Sequence, residues 1–95
     1  MNKAKLLRIH FSAADRFEKK PLYDAIVQKC RAMSIAGATV FRSIEGYGES
    51  ADIRESIIVV IVDSEDHIRE LIPAVEEMMD TGLLALSDVE ALRVG

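Results

Sequence analysis

The residues able to do chemistry are few and scattered. His10 and His67 are the only histidines. They fall on different elements, and neither has a cysteine or paired carboxylates at ligand spacing, so no metal centre is expected. Cys30 is the one cysteine. It lies among apolar residues at helical spacing, where a thiol reads as a small buried hydrophobe. Ser12, Ser34, Ser43, Ser50 and Ser56 lack the strand-turn-helix setting that exposes a nucleophilic serine, and Glu76-Glu77 reads as part of a solvated helix face. No nucleophile stands with a base. The expectation is a protein that is not an enzyme and has no resident cofactor.

Binding chemistry has two candidates. Asp15-Arg16-Phe17-Glu18-Lys19-Lys20 places three cations ahead of Pro21, a residue suited to the first turn of a helix, where free amides and the helix dipole favour an anion. Arg16 and Lys20 are the candidate contacts there, and a solvated charged loop is the plainer reading of the same residues. The other candidate is Gly46-Tyr47-Gly48. Glycines let a ligand approach the main chain, although two glycines at a strand end also make an ordinary turn. This is no dinucleotide fingerprint, because the glycines lie between two strands and not between strand and helix.

The chain that must position these residues has 95 residues, 49% of them hydrophobic and 29% charged. That is one domain, residues 1–95, with enough apolar material for a core. Sixteen acidic against twelve basic residues leave a net charge of -4, the wrong sign for gripping nucleic acid or anionic lipid. A single cysteine excludes a disulfide scaffold. The cationic start, Met1 to Lys5, is followed by only two leucines before Arg8, unlike a signal peptide. The longest apolar run, Ile57 to Val62, is far too short for a bilayer. A soluble, cytoplasmic protein with no membrane insertion and no nucleic-acid partner is expected.

Leu7, Ile9 and Phe11 alternate with Leu6, Arg8 and His10, which predicts a strand with one buried face. After the charged segment, Leu22, Ala25, Ile26, Cys30 and Met33 lay an apolar stripe along a helix running to about Met33. Ala38 to Ile44 reads as a second strand. Ser56 to Val62 is an unbroken apolar strand, the pattern of one buried on both faces. Asp63 or Ser64 caps a second helix, whose apolar face is Ile68, Leu71, Ile72, Val75, Met78 and Met79. Pro73 should kink it, His67 in its first turn reads as solvated, and Gly82 reads as its stop. Leu83 to Val94 is a last strand, broken near Ser87-Asp88. The order β-α-β-β-α-β predicts an α+β, ferredoxin-like domain, with a four-stranded antiparallel sheet carrying two helices on one face. The second sheet face, with the third strand, Leu6 and Leu84 as apolar candidates, should then serve as an assembly surface.

Lys20-Pro21-Leu22-Tyr23-Asp24-Ala25-Ile26-Val27 and Ile35-Ala36-Gly37-Ala38-Thr39-Val40-Phe41-Arg42-Ser43-Ile44-Glu45-Gly46-Tyr47-Gly48 resemble the PII-like family known as domain of unknown function one-ninety. The likeness continues through Ile61-Val62-Asp63, Leu71-Ile72-Pro73, Glu77-Met78 and Gly82-Leu83. More distantly the sequence resembles the PII signal-transduction proteins. The resemblance implies a homotrimer that binds a small-molecule effector between subunits, with an adenine nucleotide as the typical effector, and reports it to a protein partner such as a membrane transporter or channel. Gly37 and Thr39 match the positions that lie against the adenine, and Gly46 and Gly48 match the glycines leading into the PII family's long signalling loop. The chain departs from that pattern in three places. Five residues separate GATV from GYG, where the PII pattern has four, so a bulge or register change is expected. Asp80-Thr81-Gly82-Leu83-Leu84 has one glycine and no following lysine where PII proteins grip phosphates. The segment between Gly48 and Ile57 is short. A ferredoxin-like assembly module with no small ligand is the alternative reading.

Overall fold

A computed structural model describes residues 2–43, 46–47 and 53–95. Four strands, β1 (Asn2–Ser12), β2 (Ala38–Arg42), β3 (Ser56–Asp63) and β4 (Leu83–Ala91), form one sheet in the order β2-β3-β1-β4. All neighbours are antiparallel. Helix α1 (Leu22–Ala32) follows β1 and helix α2 (Glu65–Glu76) follows β3, which gives the ferredoxin-like arrangement. No helix among the described residues is long and apolar enough to cross a membrane.

Register fixes which residues share a face. Leu7 lies opposite Ile61 and Ile9 opposite Val59. These odd-numbered residues, with Phe11 and Ile57, are buried against Leu22, Ala25, Ile26 and Cys30 of α1 and Ile68, Leu71 and Val75 of α2. Burying each such aliphatic side chain contributes roughly 1.5–3 kcal/mol, and this layer is the core. Cys30 belongs to it, and burial pushes its thiol up to about 11.

The third strand of the sheet corrects one expectation. β3 is not buried on both faces: Ile57, Val59 and Ile61 are covered, whereas Ile58 and Val60 are half-buried and Val62 is exposed. With both helices on one side, only one apolar set of this strand finds cover within the chain. Around those residues the uncovered face carries two cross-sheet rows. Phe41, Ile58, His10 and Leu83 make one, and Thr39, Val60, Arg8 and Ala85 the next. Leu84 is not on this face, because it lies opposite Ile9 and packs on the core; the exposed residue there is Leu83, 60% accessible.

Four further elements differ from the sequence reading. β2 ends at Arg42, and Ile44 lies outside the described residues. β4 runs without a break through Ser87 and Asp88, because its register against β1 is continuous and Asp88 pairs with Lys5 across it. Helix α2 continues past Pro73 to Glu76, so Met78 and Met79 lie in the turn that follows. Gly82 does not stop the helix. Its φ is +140°, and an added Cβ would stand 2.6 Å from the His10 carbonyl oxygen and closer still to the Met79 methyl, so glycine is needed where the chain crosses close over β1.

Candidate ligand-binding site

The segment Ala36 to Thr39 leaves the end of α1 and enters edge strand β2. Gly37 and Thr39 are both exposed. Gly37 lacks a left-handed backbone, and a Cβ built on it would meet nothing within 4 Å. The chain itself therefore makes no demand for glycine there, and the bare main chain is open to close approach from outside. Thr39 stands on the uncovered face, in register with Val60.

Asp63 holds this segment in place. Its carboxylate accepts the Ala36 amide at 3.0 Å and the Ser64 amide at 2.7 Å, and the His67 ring nitrogen lies 3.1 Å from it. Burial alone would raise its pKa, but the two amides and the histidine outweigh that and hold the carboxyl below its ordinary value. Ser64 is the cap of α2, its hydroxyl accepting the His67 amide at 3.2 Å. Asp63 is thereby free to bridge β3, the first turn of α2 and the turn before β2. His67 is not simply solvated, since it pairs with Asp63. Sequence reasoning saw Asp63 only as a possible cap; the hint was an Asp-Ser pair with a histidine one turn on, but its main contact is 27 residues away.

The other predicted residues lie elsewhere. Arg16–Phe17 and Lys20–Pro21 pair as a two-residue ribbon, and the Arg16 guanidinium donates to the Lys19 carbonyl across a turn where Glu18 and Lys19 are left-handed. Phe17 packs on the core while Arg16 and Lys20 are exposed. This ribbon lies beyond Ser12, about 13 Å further along β1 than the row holding Thr39, so Arg16 and Lys20 do not meet Gly37 and Thr39 in the chain. Gly46 pairs with Arg54 in a second short ribbon, Gly46–Tyr47 against Ile53–Arg54. Gly48 and the whole of the segment 48–52 lie outside the described residues, as do residues 44 and 45, where the bulge is expected.

Two clefts lie outside these segments. One, of about 540 Å³, is lined by Lys3, Lys5, Glu65, Asp88 and Glu90, two cations against three carboxylates, with Lys5 paired to Asp88. The second, of about 350 Å³, is lined by Glu76, Asp80, Thr81 and Gly82, and no cation among the described residues lines it. That is the loop where the resemblance places phosphates, and its Asp80, with Glu76 at the end of α2, would oppose a phosphate there. Among the described residues no group of three His, Cys, Asp or Glu side chains is placed to hold a metal ion.

Comparison with known proteins agrees with the fold. Residues 4–91 match the model of DUF190, described as "Uncharacterized ACR, COG1993". A UPF0166 protein of Aquifex aeolicus is 35% identical over 100 residues, covering 95% of this chain and 94% of its own. Among solved structures, CPII from Thiomonas intermedia, described as a nitrogen regulatory PII-like protein bound to ADP, AMP and bicarbonate, aligns with a TM-score of 0.77 at 15% identity over 98% of this chain and 97% of that one. A putative PII-like signaling protein from Thermus thermophilus aligns with a TM-score of 0.68 at 16% identity, over 92% and 86%. At such identities the structures speak for the fold, while the match over residues 4–91 decides the family: this chain belongs to the DUF190 family and has a PII-like fold.

Proposed function

We propose that this chain is the protomer of a PII-like regulatory assembly, a cytoplasmic homotrimer that holds an adenine nucleotide between subunits at Gly37 and Thr39 and reports it to a protein partner. The observation that carries this reading is the Gly37 main chain, open on a side where its own protomer offers nothing, next to the exposed Thr39 hydroxyl and anchored by Asp63. A neighbouring subunit on the uncovered face would complete such a site. The fold shared with CPII, a protein bound to ADP and AMP, supports an adenine nucleotide as the effector. The carboxylates of Glu76, at the end of α2, and Asp80, in the loop after it, favour AMP or ADP over ATP.

Isothermal titration of AMP, ADP, ATP and cyclic AMP into the full chain, with its mass measured on the same sample, tests the reading. Saturable binding by a trimer is expected, with ATP weaker than AMP. Thr39→Val exchanges a hydroxyl for a methyl and should cost about 1–2 kcal/mol of binding, roughly a five- to thirtyfold loss. Unchanged affinity would remove Thr39 from the site. The half-buried Ile58 and Val60 favour a second reading, an assembly module with no small ligand. A tight oligomer that binds none of the four nucleotides would select it.

A further inference from the structure

The sheet ends in two open edges, β2 and β4, and its hydrogen bonds show which main-chain groups each edge offers. The Ser43 amide donates to the Ser56 carbonyl, one step past the Arg42–Ile57 pair. Hydrogen-bonded pairs alternate along an antiparallel ladder. Phe41 and Thr39 therefore turn their main-chain groups towards β3, and Ala38, Val40 and Arg42 turn theirs outward. On the other side of β3 the Ala13 amide donates to the Glu55 carbonyl, which points the odd residues of β1 towards β3 and the even ones towards β4. On β4 it is then Leu84, Leu86, Asp88 and Glu90 whose amides and carbonyls face outward.

Such rows are a template for a further strand unless proline, a bulge or charge blocks them. β2 has no proline, and its one charged residue, Arg42, is paired with Glu55. At each edge one apolar side chain stands on the helix-covered side without full cover. These are Val40, in register with Val59 and 36% accessible, and Leu86, in register with Leu7 and 38% accessible. Strand direction then selects the occupant. β2 runs parallel to β1 and β4 antiparallel to it, so β4 of a second copy, laid head to tail beside β2, continues the antiparallel alternation. Outward residues must meet outward residues. Setting Val40 opposite Leu86 satisfies this, and it places Thr39 opposite Ser87 and Phe41 opposite Ala85 on the uncovered side. A twofold pairing of β4 with its own copy along its whole length would instead set Asp88 against Leu86 and Glu90 against Leu84, and would leave β2 open. Resting on the assembly proposed above, we propose that copies of the chain join edge to edge, β2 against β4, with Val40 against Leu86 of the partner subunit. The junction brings the partner's Ser87 beside Thr39, so a second hydroxyl reaches the candidate ligand site from the neighbouring copy. A ring closed in this way has no free sheet edge.

The experiment is sedimentation of the full chain and its edge variants over a dilution series. Val40→Glu or Leu86→Lys alone should raise the protein concentration at half-assembly at least roughly tenfold, because each puts a charge against an apolar partner in a strand-to-strand contact. The double variant Val40→Glu/Leu86→Lys sets opposite charges across every junction and should return that concentration to within about threefold of the wild type. Val40→Pro deletes an outward amide and leaves the ladder to β3 intact. It should weaken assembly as the single charges do, while its far-UV circular dichroism and urea midpoint stay with the wild type. An oligomer indifferent to Val40→Glu and Val40→Pro overturns the junction and keeps the assembly. Weakening by both single charges with no recovery in the double variant overturns the pairing of Val40 with Leu86. A chain that is monomeric throughout overturns the assembly and the junction with it. Titration with AMP is read separately: recovery in the double variant supports the junction whether or not AMP binds.

Discussion

At the scale of single residues, Asp63 does most to shape the candidate site, although it touches no ligand itself. One carboxylate takes two backbone amides and a histidine, and its side chain is only 13% accessible. Asp63→Ala should therefore destabilise the chain by about 0.5–1.5 kcal/mol, the net worth of the bonds lost, since the Ala36 and Ser64 amides are exposed and water can replace the carboxylate. Because the folded-state pKa lies below the ordinary 3.8, the stabilisation is fully present above the unfolded value and is lost as pH falls through the folded one. Urea denaturation of the wild type and Asp63→Ala across pH should show a constant gap at neutral pH that closes in acid. A gap independent of pH would mean that the carboxylate's charge contributes nothing. Hydrogen exchange at the Ala36 amide should quicken in the same variant, since that amide loses its acceptor.

At the scale of elements, α2 carries a residue that works against it. Pro73 is exposed and sits inside the helix, where it cannot donate to the carbonyl of Arg69 one turn earlier. Pro73→Ala restores that bond and should stabilise the chain by about 1 kcal/mol or more in chemical denaturation. A loss of stability would show that the ring's own rigidity outweighs the missing bond. The elements differ in how far the sequence revealed them. Alternation in Leu7, Ile9 and Phe11 and the helical stripe around Ile26 and Cys30 record burial directly, so β1 and both helices were legible. The run Ile57 to Val62 was not, because apolar residues covered by a helix and those the chain leaves uncovered look alike in one dimension. β4 passes through Ser87 and Asp88 because pairing with β1 overrides weak local strand preference, and Gly82 answers to a carbonyl on a distant strand. In the candidate site, Gly37 and Thr39 came from the family resemblance, while the Asp63 tie spans 27 residues and leaves no local pattern.

At the scale of the whole molecule, the two faces of the sheet differ in cover. The helix-covered face makes the fold; the other presents Phe41, 53% accessible, beside Ile58, Val60 and Arg8. Phe41→Lys should leave the far-UV circular dichroism spectrum and the stability of the isolated chain within about 0.5 kcal/mol of the wild type. Assembly should weaken at least roughly tenfold, because an anchor is lost and a second cation joins Arg8. Undiminished assembly by sedimentation would place the interface elsewhere. The covered face also contains a record of its own motion. Cys30 is 2% accessible with its thiol raised to about 11, and only the thiolate attacks alkylating reagents. In the closed molecule that sulfur is chemically silent, so its modification counts the moments when α1 lifts from the sheet. The chain thus carries a one-atom stopwatch for its own breathing, and anything that tightens the molecule slows it.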